Sequence, residues 1–384
     1  MDEKKKNVPK RRFKEFKNAD AWEQRELGEM LSYEQPTNYI VASSNYNNNF
    51  NTPVLTAGKS FILGYTNEIN GIKRSNLNNP LIIFDDFTTS SHYVDFDFKV
   101  KSSALKILNT NSDDLNTYFV YNLLKKVNYK VQSHERHWIS IYSKLKVLTT
   151  NLEEQNKIAN FFLNIDQTIT LHQRKLEKYK AIKESYLEEM FPAEGQRKPK
   201  RRFTGFTDDW EQRELGEICN ITMGQSPDSI NYTLNPLYHI LVQGNADIKN
   251  SVIVPRIWTT QITKIALKND IIFTVRAPVG DVAKNEFNLV IGRGVAAISG
   301  NEFIFQFLQH LKQNGYWKKL SSGSTFDSIS SLELKSLPIK LPSAEEQKRI
   351  GELLVHIDQT ITLHQKKLDK LKKLKEALLE EMFV

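Results

Sequence analysis

A chain of 384 residues, 40% of them hydrophobic, exceeds the usual size of a single core, so two or more domains are expected. The lone cysteine, Cys219, excludes an internal disulfide or a thiolate metal cluster, and no apolar run approaches the roughly 20 residues of a membrane span, so a cytoplasmic protein without membrane contact is expected. A formal net charge of +8 favours a polyanionic partner without identifying it.

Basic clusters at residues 4–6 and 10–12 lead into PKRRFKEFKNADAWEQRELGE at 9–29. An interior of about 30–150 follows. Within it, Ala57-Gly58-Lys59-Ser60 imitates the end of a phosphate-binding loop, but Pro53 stands where that loop needs its first glycine, which leaves a turn. Ile82-Ile83-Phe84 reads as a buried strand and 118–127 as an apolar helical stretch. Asn151 with Glu154 has the spacing of a capping box in its Asx form, so a helix starts there. From that point Ile158, Phe162, Ile165, Ile169 and Leu176 recur at intervals of four and three or their sum, a coiled-coil seam with His172 and Lys183 also on it. The linker PAEGQRKP at 192–199 stops the helix.

The chain then repeats itself. PKRRFTGFTDDWEQRELGE at 199–217 matches the opening segment, and the helix of 153–191 recurs without a gap at 345–383, with 165–173 and 357–365 identical. Ser343 with Glu346 supplies the second capping box, and Ile350, Leu354, Ile357, Ile361 and Leu368 repeat the seam, with His364 and Lys375 upon it. The histidines have no second ligand at i+4 and are expected to set packing or register, not to hold metal. A helix of about 40 residues, roughly 60 Å, must find a partner, and the other copy is the simplest one. Antiparallel pairing relates the halves by a pseudo-twofold axis and sets the heads at opposite ends of a rod; parallel pairing would leave no spacer function.

The interiors, 30–150 and 218–342, share only a skeleton: Ile271-Ile272-Phe273 answers Ile82-Ile83-Phe84, and the apolar stretch at 303–311 answers 118–127. Repeated scaffold around divergent interiors suits two readers of different specificity. Enzyme motifs fail: Gly292-Arg293-Gly294 lacks the third glycine of a dinucleotide site and reads as a flexible loop, and Asp327 with Glu333 and Lys335 only faintly imitates a nuclease. A single-chain restriction nuclease or methyltransferase with diverged motifs is the rival reading.

What remains suits base and phosphate contact, which needs amide, guanidinium and hydroxyl groups on loops. In the first interior the candidates are Thr37, Asn38, Lys59, Thr88, Thr89, Ser90, His92, Lys101, Arg136 and His137. In the second they are Gln225, Ser226, Gln243, Asn245, Arg256, Arg276, Arg293, Ser324 and Thr325.

WEQRELGE at the head of each half, the EEQ helix start with its ID..I..L seam, and ISSLELKSLPIKLPSAEEQ before the second helix resemble the specificity subunits of type I restriction-modification systems over essentially the whole chain. The resemblance implies a bipartite double-stranded DNA target, each recognition domain reading one half-site while the helices fix the gap. It also implies partners, two methyltransferase subunits and two ATP-driven restriction-translocase subunits. S-adenosylmethionine, ATP and magnesium would belong to them, with no catalytic centre, cofactor or metal in this chain. The expected fold is α+β: recognition domains at 1–150 and 193–342, spacer helices at 151–192 and 343–384, the helices an antiparallel coiled-coil pair.

Overall fold

The computed structural model describes residues 7–57, 60–127, 129, 137–321 and 328–384. The chain divides into two compact units, Met1–Leu171 with Leu368–Val384, and His172–Lys367. The long helices, Leu152–Met190 and Ala344–Met382, each contribute to both units.

The repeated segments form one frame, built twice. In the first unit Glu23–Glu26 pairs antiparallel with Lys146–Thr149, so the strands that open and close the interior lie side by side. In the second, Glu211–Glu214 pairs with Pro338–Leu341 in the same way. Trp22, 2% exposed, packs its ring edge against Phe119 and Phe383, at 5.5 and 6.1 Å between centroids. Trp210, also 2% exposed, meets Phe303 and Phe191 at 5.6 and 6.3 Å. Each such buried aromatic contributes about 1.5–3 kcal/mol by leaving water.

The two arginines of each PKRRF segment lock the frame to the helices. Arg12 donates from Nε and a terminal nitrogen to the buried Glu154 carboxylate, both at 2.6 Å, and Arg202 grips Glu346 in the same manner at 2.7 and 2.8 Å. Hydrogen bonding to the carboxylate holds both guanidinium pKa values above their ordinary value. The neighbouring arginine adds a backbone bond, Arg11 N–H to Glu381 O at 2.9 Å and Arg201 N–H to Glu189 O at 2.8 Å. The capping-box expectation is therefore half right. Asn151 Oδ1 and Ser343 Oγ accept from the amides of Glu154 and Glu346, but the glutamate side chains turn to the arginines instead of the cap backbone.

Within each unit the two helix segments run antiparallel. In the first, Phe162 packs on Phe383 while Asp166 bonds Lys375 at 2.6 Å; in the second, Asp358 bonds Lys183 at 2.6 Å and His364 meets His172. Ile158, Phe162, Leu176, Ile350, Leu354, Ile357 and Leu368 are buried, and Ile165, Ile169 and Ile361 are partly so. The seam lysines thus pair with the aspartate that follows the seam isoleucine of the other copy.

Each interior carries a fully buried central strand, Leu81–Asp85 or Ile271–Thr274. The first lies in the order Leu31–Glu34, Leu105–Thr110, Leu81–Asp85, Ser91–Val94. The second lies in a longer sheet that begins Ile221–Met223, Val295–Ile298, Ile271–Thr274, Val282–Lys284. A helix follows in both, Thr117–Lys126 and Glu302–Gln313, capped by the side chains of Asn116 and Asn301. A second sheet of three strands completes the first interior and one of five strands the second. Among the described residues no helix is long and apolar enough to cross a membrane.

Candidate nucleic-acid interface

Strand direction brings the candidate loops of each interior to one sheet edge. In the first unit Glu34 faces Ile107, Asp85 faces Leu105 and Phe84 faces Ser91, so the segment after the first strand, the central hairpin and the segment before residue 105 share that edge. In the second unit Met223 faces Ala296, Thr274 faces Val295 and Phe273 faces Val282, which gathers the equivalent three segments.

The first edge is rich in hydroxyls. Thr37 and Asn38 lie exposed on the turn Pro36–Tyr39. Thr88, Thr89 and Ser90 make the hairpin turn: the Asp85 carboxylate accepts from Phe87 N–H at 2.9 Å and from Thr88 Oγ1 at 2.5 Å, and Thr88 and Ser90 hydroxyls stand 3.0 Å apart. Thr89 takes the left-handed backbone, φ 59°, that so tight a turn requires. Lys101 is exposed and donates to Ser44 Oγ at 2.9 Å. His92 stacks on Phe61 at 3.8 Å between centroids, and burial lowers its pKa, so the ring is neutral near pH 7.

His137 does not belong on this surface. Its side chain is wholly buried, and its Nδ1 lies 2.9 Å from the backbone oxygen of Asp86, whose carboxylate accepts from Trp138 N–H at 2.8 Å. Sequence reading also missed the pair behind the hairpin, Asp86 with Lys106 at 3.5 Å, both about 2% exposed or less. Lys59 and Arg136 lie outside the described residues, as do Ser324 and Thr325 of the second unit.

The second edge is built from amide and guanidinium groups around three pressed backbones. Gly224 N–H donates to Val295 O, Gln225 N–H to Ile291 O, Gly292 N–H to Val242 O and Val275 N–H to Gly294 O, all at 2.8–3.0 Å. A Cβ on Gly294 would stand 2.0 Å from Gln243 O, and one on Gly224 2.1 Å from Gly292 O, so only glycine permits the approach. The run Gly292-Arg293-Gly294, expected as a flexible loop, is instead a bonded turn. Gln225, Ser226, Gln243, Arg276 and Arg293 come together here: Arg293 N–H donates to Ser226 Oγ at 3.1 Å, and Gln243 Nε2 donates to Tyr232 Oη at 2.7 Å. Arg276 adjoins Val275 and, with Arg293, is exposed; neither forms an ion pair among the described residues. Asn245 is exposed on the adjoining turn, and Arg256 donates from Nε to Asp247 at 2.9 Å. Asp247 and Tyr232 escaped sequence reading. The only hint was an aspartate four residues past Gln243, the spacing of a turn that caps itself.

These edges offer directional donors and acceptors with positive charge, the equipment of base and phosphate contact. Cys219 is buried, with its thiol pushed up to about 11, which keeps it inert near pH 7. Among the described residues no group of three or more His, Cys, Asp or Glu could hold a metal ion.

The family model for the type I restriction modification DNA specificity domain matches residues 19–181 and again 207–373. The chain is 32% identical over 354 residues to the specificity subunit of the type I restriction enzyme EcoR124I/EcoR124II from Escherichia coli, covering 86% of this chain and 85% of that one. Among solved structures, the type I restriction-modification S subunit from M. genitalium shares the fold with a TM-score of 0.72 at 16% identity, covering 98% of this chain and 99% of that one. A chain from a structure on complex assembly and conformational transition of the type I R-M system gives 0.52 at 22% identity, covering 94% and 97%.

Proposed function

The chain belongs to the DNA specificity subunits of type I restriction-modification systems, and from that membership we propose that each unit reads one half of a bipartite target in double-stranded DNA. The carrying observation is one frame built twice around chemically different sheet edges. A hydroxyl-rich edge and an amide-guanidinium edge offer different sets of donors and acceptors to the bases. The helix pair fixes the unspecified gap between the half-sites and docks two methyltransferase subunits. Two restriction-translocase subunits complete the assembly, in the cytoplasm where its DNA lies. S-adenosylmethionine, ATP and magnesium serve those partners, and this chain contributes recognition without a catalytic step of its own.

The test is an exchange of interiors. Replacing residues 30–150 with the matching interior of another specificity subunit, in the assembled methyltransferase, is expected to change one half of the methylated sequence and leave the other. Methylation mapping in which both halves change together, or neither does, would refute the assignment of one reader to each unit.

A further inference from the structure

Arg256 differs from the other two arginines of the second edge in how it is held. Its Nε donates to Asp247 Oδ1 at 2.9 Å, while Oδ2 of the same carboxylate accepts from the amides of Gln243 and Gly244 at 2.8 and 3.3 Å. The Asp247 side chain is 4% exposed and that of Arg256 is 51% exposed. The carboxylate is thus fixed by the loop that carries Gln243, and it fixes the guanidinium in turn. Arg256 keeps its two terminal nitrogens, four N–H donors in one plane, for a ligand.

Two acceptors could meet that fork, a phosphate or the O6 and N7 of guanine. Charge decides between them. A phosphate contact draws on net positive charge, and Asp247 already offsets that of Arg256. The pair is neutral as a whole but retains directional donors, which suits a neutral acceptor pair on a base edge. Arg276 and Arg293 carry no such carboxylate among the described residues, and an arginine without one suits a phosphate. Anchoring also removes rotamer freedom before binding, so less is lost when the contact forms.

We propose that Arg256 reads a guanine in the half-site of the second unit and that Asp247 is its positioning residue. The proposal rests on the second unit being a DNA reader, and deepens it by naming one base and the pair that recognises it.

The experiment uses the chain assembled with its methyltransferase partners, with affinities measured on duplexes carrying each base at each position of both half-sites, at two salt concentrations. Arg256→Lys keeps the charge and the partner but loses the planar fork. It is expected to reduce discrimination for guanine at one position by about tenfold or more and leave the other half-site untouched. Asp247→Asn keeps an acceptor for the loop amides but frees the guanidinium charge. It is expected to relax the same position and to steepen the salt dependence. Full guanine discrimination in Arg256→Lys, or loss spread evenly over all sequences in Asp247→Asn, would overturn the proposal while leaving the two-reader assignment intact. That assignment fails separately, if exchanging the whole of residues 218–342 leaves the methylated sequence unchanged.

Discussion

The first unit closes its central hairpin with hydroxyls held by Asp85, whereas the second brings guanidinium and amide groups together over three touching backbones. Beneath these unlike edges the buried parts agree almost contact for contact: tryptophan on the helix-end phenylalanine, arginine on buried glutamate, asparagine at the cap of the packing helix. The difference teaches where variation is tolerated. A sheet edge exposes side chains whose replacement costs little folding energy, while the clasp and seam are buried and hydrogen-bonded, so a change there is felt by the whole unit.

The sharpest way to break this equivalence is through the clasps. Glu154→Ala leaves Arg12, its side chain 5% exposed, without its carboxylate, and Glu346→Ala does the same to Arg202, its side chain 13% exposed. Each is expected to destabilise its own unit by about 3–5 kcal/mol, read by urea unfolding with proteolytic fragments to identify the unit that opens. A large loss from one and none from the other would show that the two frames are not energetically alike.

Acid should separate the units next. Burial pushes the His310 imidazole of the second unit down to about 4, and the matching helix of the first unit, Thr117–Lys126, has no histidine. Between pH 6.5 and about 4 the unfolded chain binds a proton that the folded unit refuses, so stability is lost as pH falls through that window. A loss of about 2–3 kcal/mol from His310 is expected in the second unit, larger than the loss in the first, where burial also lowers the pKa of His92, and His310→Gln should flatten the dependence of the second unit's urea midpoint on pH. A slope unchanged in that variant would assign the acid sensitivity to other groups.

The smallest difference lies at the helix caps. Asn116 and Asn301 each accept from the third amide of their helix, at 3.0 and 3.1 Å, so Asn116→Ala and Asn301→Ala should each cost about 1 kcal/mol. Values that diverge widely in thermal melts would mean that the links from Asn116 to Asn156 and from Asn301 to Gln347 are unequal partners of the cap.

How legible these features were depends on which forces set them. The seam from Ile158 to Leu176 could be read because helical periodicity is local, and Ile82-Ile83-Phe84 could be read because a run that short, rich in β-branched and aromatic residues, favours a buried strand over a helix. The clasps were half visible. Arg12 and Glu154 are 142 residues apart, yet both motifs recur around the second interior, and two motifs that recur together at the edges of one domain are candidates for contact. The residues of the second edge were named, but their assembly was not visible, because backbone bonds join loops near 224, 243, 275 and 292 and leave no periodic trace. His137 misled because basic and polar neighbours in ERHW suggested a surface loop, while the adjoining Trp138, 1% exposed, was the better guide to burial.

The division of the chain into units carries a consequence for synthesis. The second unit is continuous, His172–Lys367, whereas the first needs Leu368–Val384 to cover Ile158 and Phe162 with Leu378, Met382 and Phe383. A ribosome delivers segments in order, so the second unit has all its residues before the first does, against the usual tendency of leading domains to mature first. Until residues 368–384 emerge, the leading unit holds an apolar helix face without its cover. Its completion is therefore also the point at which the nascent chain stops presenting that face to chaperones or to other nascent copies.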